Sequence, residues 1–137
     1  FTKHHTHKRE IILIEDSHQL LVTNNVFNNS NQNIYVRNYE IISRDNNSTA
    51  SLMLPTYTGS AFYDSENKFS KISFDDMLES EQAIRVQDSW ISMIEHYFFS
   101  AWLPTDVQTK TVYTNHENGV FTIGSTTAYN TLEPGQN

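Results

Sequence analysis

WISMIEHYFFSAWLP, residues 90–104, holds both tryptophans of the 137-residue chain and sets Tyr97, Phe98 and Phe99 between them. Its period decides the fold class. Trp90, Ile94, Tyr97 and Ala101 fit the spacing of a helix face. Ile91, Met93, Tyr97, Phe99, Ala101 and Leu103 fit a strand interrupted by Glu95. We read it as strand, because β signals stand on both sides of it. Each large aromatic removed from water contributes on the order of 1.5 to 3 kcal/mol. The window is therefore expected to anchor the core, with Trp90, Tyr97 and Trp102 buried.

Upstream, Arg9–Glu15 (REIILIE) and His18–Phe27 (HQLLVTNNVF) read as strands separated near Asp16-Ser17. The polar cluster Asn28–Asn33 (NNSNQN) is a turn, since asparagine tolerates left-handed backbone angles. Ile34–Arg44 (IYVRNYEIISR) then resumes as one strand, expected to pair antiparallel with the strand before the loop. Asp45–Thr49 is a further loop, and Pro55 and Gly59 interrupt the segment after it. Lys68–Phe74 is a strand leading into a short helix over residues 74–81, because Ser73 and Asp76 have the spacing of an N-cap pair. Ala83–Gln87, Lys110–Asn115 and Gly119–Ile123 are strands, the last two joined by a turn at His116–Gly119, and the tail TLEPGQN is loop. The fold class is all-β, mainly antiparallel, a sandwich with one short helix.

Composition bounds the function. The length suits one domain, and 12% aromatic residues argue against disorder. Sixteen acidic against nine basic residues leave a net charge of −7, with no basic cluster longer than Lys8-Arg9, so nucleic acid is not an expected partner. The absence of cysteine excludes disulfides and thiolate metal sites. No apolar run is long enough to span a bilayer, and the first residues carry no signal-peptide core, so the chain as given reads as soluble.

Each candidate for chemistry has a plainer reading. In HHTH, an extended backbone puts His5 and His7 on one face and His4 on the other, with no further ligand at a useful spacing, so solvated histidines are expected. His96 beside Glu95 invites an acid/base role, yet on a strand adjacent residues point to opposite faces. Asp75, Asp76, Glu79 and Glu81 read as a solvated helix face with its first turn opposing the helix dipole. Glycosylation sequons start at Asn28, Asn46 and Asn47, as chance predicts in so Asn-rich a chain. Exposed tryptophans could stack on a sugar, but core packing is the simpler role for Trp90 and Trp102. No G-x-S-x-G motif and no phosphate-binding glycine loop is present. No catalytic, cofactor-binding or metal-binding residue is assigned, and no cofactor is expected.

Three segments together carry a resemblance: GSAFYDSENKFSKISFDDM (59–77), residues 90–104, and LEPGQ (132–136). Gly59, Tyr63, Lys68, Phe69, Lys71 and Phe74 fit a first motif, with one extra residue before Tyr63. Trp90, Met93, Tyr97, Phe98, Ala101, Trp102 and Pro104 fit a second, W-x-x-M-x-x-x-Y-F-x-x-A-W-[IL]-P. In this order they resemble the large periplasmic domain of the bacterial YidC membrane protein insertases, of the Oxa1 superfamily. Asp88-Ser89 departs from the glycine common there, which puts the local turn in question. The resemblance implies a β-supersandwich similar to galactose mutarotase and carbohydrate-binding folds, hung between two membrane helices. It also implies a longer domain, so that this chain is a portion cut at both ends and short of some strands. By resemblance the chain is a non-catalytic domain on the periplasmic side of the bacterial inner membrane, assisting insertion and folding of membrane proteins. Its implied partners are the Sec translocon with its accessory subunits and nascent membrane proteins. The rival reading is a carbohydrate-binding or mutarotase-like domain.

Overall fold

The structure is a computed structural model that describes residues 4–45, 57–66 and 68–137. In chain order its elements are β1 (His5–Leu13), β2 (Leu20–Asn28), β3 (Ile34–Val36), β4 (Tyr39–Asp45), β5 (Gly59–Asp64), β6 (Lys68–Ser73), α1 (Phe74–Glu79), β7 (Gln82–Gln87), β8 (Trp90–Ile94), β9 (Phe99–Trp102), β10 (Thr109–Glu117), β11 (Val120–Thr127) and β12 (Asn130–Leu132). Every strand pairing is antiparallel. The all-β expectation with one short helix holds. The chain forms two compact units, one from residues 1–36 with 129–137 and one from residues 37–128.

The second unit is a sandwich of two four-stranded sheets, ordered β4-β11-β10-β7 and β6-β5-β8-β9. Side chains alternate along each strand, so Phe62, Ile91 and Met93 from one sheet meet Val112, Phe121 and Ile123 from the other in a buried core. Helix α1 adds Phe74 and Met77, three positions apart on one helical face, and Phe74 packs on Phe121 with ring centroids 4.5 Å apart. The foreseen cap is present in full: Asp76 donates its N–H to the Ser73 hydroxyl, and the Asp76 carboxylate accepts the Ser73 N–H at 2.9 Å. The helix stops at Glu79, short of residue 81, because Ser80 is already extended and Gln82 N–H is held by Thr114 Oγ1 at the start of β7. Asn118 (φ 51°) and Gly119 (φ 80°) make the two-residue turn between β10 and β11, as an Asn-Gly pair does where both positions need positive φ.

In the first unit β1 and β2 form a nine-rung hairpin, and β3 pairs with β12. This corrects the expected pairing of β2 with a single strand over residues 34–44. That segment breaks at Arg37-Asn38, where Asn38 N–H donates to Thr127 Oγ1 and the Asn38 carbonyl accepts Thr127 N–H, so β4 begins afresh against β11. Asn28 explains why β2 does not turn back on itself. Its buried side chain donates to the carbonyls of Gln32 and Leu132, both at 2.8 Å, and its main chain is bonded to Gly135 and Gln136. The tail read as loop thus contributes strand β12 and a turn at Glu133–Gln136, with Gly135 at φ 79° after Pro134.

Candidate partner-binding site

Residues 90–104 form a hairpin, not one strand. β8 and β9 pair from Ile91↔Trp102 to Ile94↔Phe99, and Glu95 N–H donates to the Phe98 carbonyl at 2.7 Å, so the chain reverses at His96-Tyr97. The strand assignment holds on either side of this turn, and the burial expected at its centre does not. Trp90 and Trp102 are half-buried, but Tyr97, Phe98 and Phe99 are 82%, 77% and 74% exposed. Tyr97 and Phe98 lie in the turn past the paired rungs, and Phe99 opens the edge strand β9. Three consecutive aromatics in water are costly for a small domain.

Phe98 and Phe99 also stand at the mouth of a cleft. β9 is the last strand of its sheet and β4 the last of the other. At the far end of β9 the Trp102 Nε1–H donates to the Ile41 carbonyl at 3.1 Å and ties the two edges together. At the near end they part around a cavity of about 90 Å³, lined among others by Ile42, Arg44, Met93, Phe98, Phe99 and Ser100. The Arg44 guanidinium lies over the Phe74 ring, 5.6 Å from its centroid. Its Nη1 is buried without a hydrogen-bond acceptor, and the nearest carboxylate, Glu95, stands off at 3.4 Å.

The first unit carries a second apolar surface. Ile11, Ile12, Leu13, Ile14, Leu20 and Leu21 are 43–79% exposed at the distal end of the β1–β2 hairpin. Because the apolar residues are consecutive, both faces of the hairpin are apolar there. Nearer its base the hairpin is polar, with Asn24 Oδ1 accepting from Arg9 Nε at 2.8 Å and lying 3.1 Å from His7 Nε2. The sequence signal was the unbroken run Ile11–Ile14, which lacks the alternation of a strand with one wet face.

The sequence candidates for chemistry are dispersed. Glu95 leans to Arg44 while the His96 ring packs edge-on against Tyr97, 4.2 Å between centroids, so the two do not converge on one pocket. His4, His5 and His7 are exposed, and Asp75, Asp76, Glu79 and Glu81 are solvated. Among the described residues no group of three histidine or carboxylate side chains could hold a metal. Hydrogen bonds from Ser73 hold the Asp76 carboxyl below the usual aspartate range. Burial pushes the Tyr57 hydroxyl up to about 12, and it donates to the Ser60 carbonyl. Trp90 is stacked by Tyr63 and flanked by Phe69, with centroids 6.2 and 5.8 Å away, so its ring faces protein. The sequon at Asn28 is sterically closed, since its amide nitrogen is buried and donates twice, and those at Asn46 and Asn47 lie outside the described residues. A larger cavity of about 280 Å³ beside Asp64, Glu66 and Arg85 is open and polar, with Asp64 Oδ1 already accepting Glu66 N–H at 2.7 Å. Lys110 on β10 and Glu40 on β4 form a buried pair that reaches across the intervening strand β11, Nζ lying 2.8 Å from both carboxylate oxygens and Ser125 Oγ of β11 donating to one of them. Among the described residues no helix is long and apolar enough to cross a membrane.

Comparison with known proteins gives these surfaces their setting. A family model described as the YidC periplasmic domain matches residues 2–137. The chain is 36% identical over 123 residues to the membrane protein insertase YidC of Methylobacillus flagellatus, covering 88% of this chain and 22% of that protein. It is 36% identical over 135 residues to the YidC of Haemophilus ducreyi, covering 98% and 24%, and 33% identical over 127 residues to that of Actinobacillus pleuropneumoniae serotype 7, covering 92% and 23%. The chain therefore spans less than a quarter of the length of these relatives. With matching motifs, an antiparallel sandwich and a family match along almost its whole length, the chain belongs to the family of YidC periplasmic domains, found on the periplasmic side of the bacterial inner membrane.

Proposed function

We propose that this domain is a non-catalytic binding module of a membrane protein insertase, holding apolar segments of membrane proteins during their insertion and folding. The observation that carries this reading is the exposure of Tyr97, Phe98 and Phe99, the last two lining a small cleft of mixed polarity. Aromatic groups held rigidly at a surface offer large contact area at low entropic cost. Dispersal of the titratable groups supports binding over catalysis. The resemblance implies the Sec translocon and its accessory subunits as a second partner, and the β1–β2 hairpin end offers a separate apolar face.

The test uses the intact insertase carrying Phe98→Ser with Phe99→Ser, or Ile12→Ser with Leu21→Ser, and tracks insertion of a membrane protein reporter by protease protection. The reading expects slower insertion from the first pair with the protein folded and at normal abundance. Unchanged insertion with both pairs would refute it.

A further inference from the structure

We propose that the cleft between β4 and β9 takes an extended polypeptide segment as an added strand on the outer edge of β9, with an acidic side chain of that segment seated against Arg44. The inference rests on the binding role above and specifies its ligand.

Three observations converge on it. First, β9 is hydrogen-bonded to β8 on one side, and no strand among the described residues lies on the other. An edge of this kind presents a row of main-chain donors and acceptors that an extended segment can satisfy. Second, among the described residues the edge, though short, carries few of the usual guards. Sheet edges are normally blunted by lysine, proline or a bulge, whereas Phe99–Trp102 has neither residue, and its register with β8 runs without a break. Third, the cleft has a chemical preference. Its lining mixes Ile42, Phe98 and Phe99 with Ser43, Glu95 and Ser100, and Arg44 Nη1 supplies a buried donor that no hydrogen bond uses. The cavity of about 90 Å³ holds roughly three waters' volume, room for a carboxylate and its methylene. A carboxylate arriving there would complete a charge-assisted hydrogen bond and displace the looser Glu95, whose side chain is 44% exposed and free to swing into solvent. A bilayer surface would engage the aromatic tip but would have no use for the β9 edge or for Arg44.

The experiment measures fluorescence anisotropy of a labelled peptide, alternating Val and Thr around one central Glu, with the intact insertase in detergent. Matched peptides carry Gln or Lys at the centre, and a fourth is N-methylated along one edge. The Glu peptide is expected to bind about tenfold more tightly than the Gln or Lys peptide, and N-methylation is expected to abolish binding. Arg44→Gln should erase the preference for Glu. Arg44→Glu should transfer it to the Lys peptide, a gain that a misfolded variant could not give. Equal affinity for the three peptides, or full binding of the N-methylated one, would overturn the proposal. If neither preference nor edge dependence appears but nascent chains still crosslink to Phe98, strand addition alone fails. If crosslinking is also absent, the binding role fails with it.

Discussion

Trp102 donates its indole Nε1–H to the Ile41 carbonyl at 3.1 Å, and this bond joins the edge strands of two different sheets. It closes the sandwich at one end of β9, and at the other end the described residues part around the cavity beside Arg44. Trp102→Phe keeps most of the packing and removes the bond, so the domain should lose about 1 kcal/mol by denaturant unfolding. The cleft should loosen as well, seen as faster hydrogen exchange in β4 and β9 than in β10 and β11.

The buried pair Lys110–Glu40 makes a sharper energetic prediction. Lys110 and Glu40 side chains are 3% and 12% exposed, and each depends on the other. Lys110→Met strands a carboxylate and should cost about 3 to 5 kcal/mol. Adding Glu40→Leu should recover most of that loss, because an apolar pair of similar volume suits the site. A double-mutant cycle by chemical denaturation gives the coupling.

Asn28 joins the end of β2 to the C-terminal turn through two side-chain donors and two main-chain bonds. Asn28→Asp has no amide to donate and would put a charge against the Gln32 and Leu132 carbonyls. We expect a loss on the order of 3 kcal/mol in the stability of the first unit. The amides of Gly135 and Gln136 should lose their exchange protection in the same variant.

The helix cap predicts a pH dependence. Ser73 lowers the folded value of Asp76 below its unfolded one. Its contribution is therefore complete above the ordinary aspartate value of about 4 and is lost as pH falls through the lower folded value. Ser73→Ala should flatten this part of the stability profile, measured by denaturant midpoints across the acid range, and lower the neutral-to-basic limb by a constant amount, because the lost cap bonds are complete there.

How far these features could be read in advance differs by element. The Ser73–Asp76 cap and the Asn118-Gly119 turn were legible because each rests on neighbours in sequence. Most strands were legible for the same reason. The split between β3 and β4 was hidden, since it depends on Thr127, far along the chain, offering both bonds to Asn38. The role of Asn28 was hidden likewise, its partner Leu132 lying 104 residues away. Hydrophobicity alone misassigned Tyr97, because a short apolar run has the same composition whether it crosses a core or turns a hairpin at its end. The family motif marked Tyr97 and Phe98 without saying which way they face. The cleft at Arg44 needed the two sheet edges brought together, which no local pattern encodes.

Under the proposed function, the aromatic turn beside β9 meets membrane proteins in transit. The most direct test is a photo-crosslinking amino acid placed at Phe98 of the intact insertase in cells synthesising a membrane protein reporter, with Glu117, exposed at the end of β10, as the control position. We predict adducts with the nascent reporter from position 98 and none from 117. Equal labelling from both positions, or none from position 98 while insertion proceeds normally, would contradict the account.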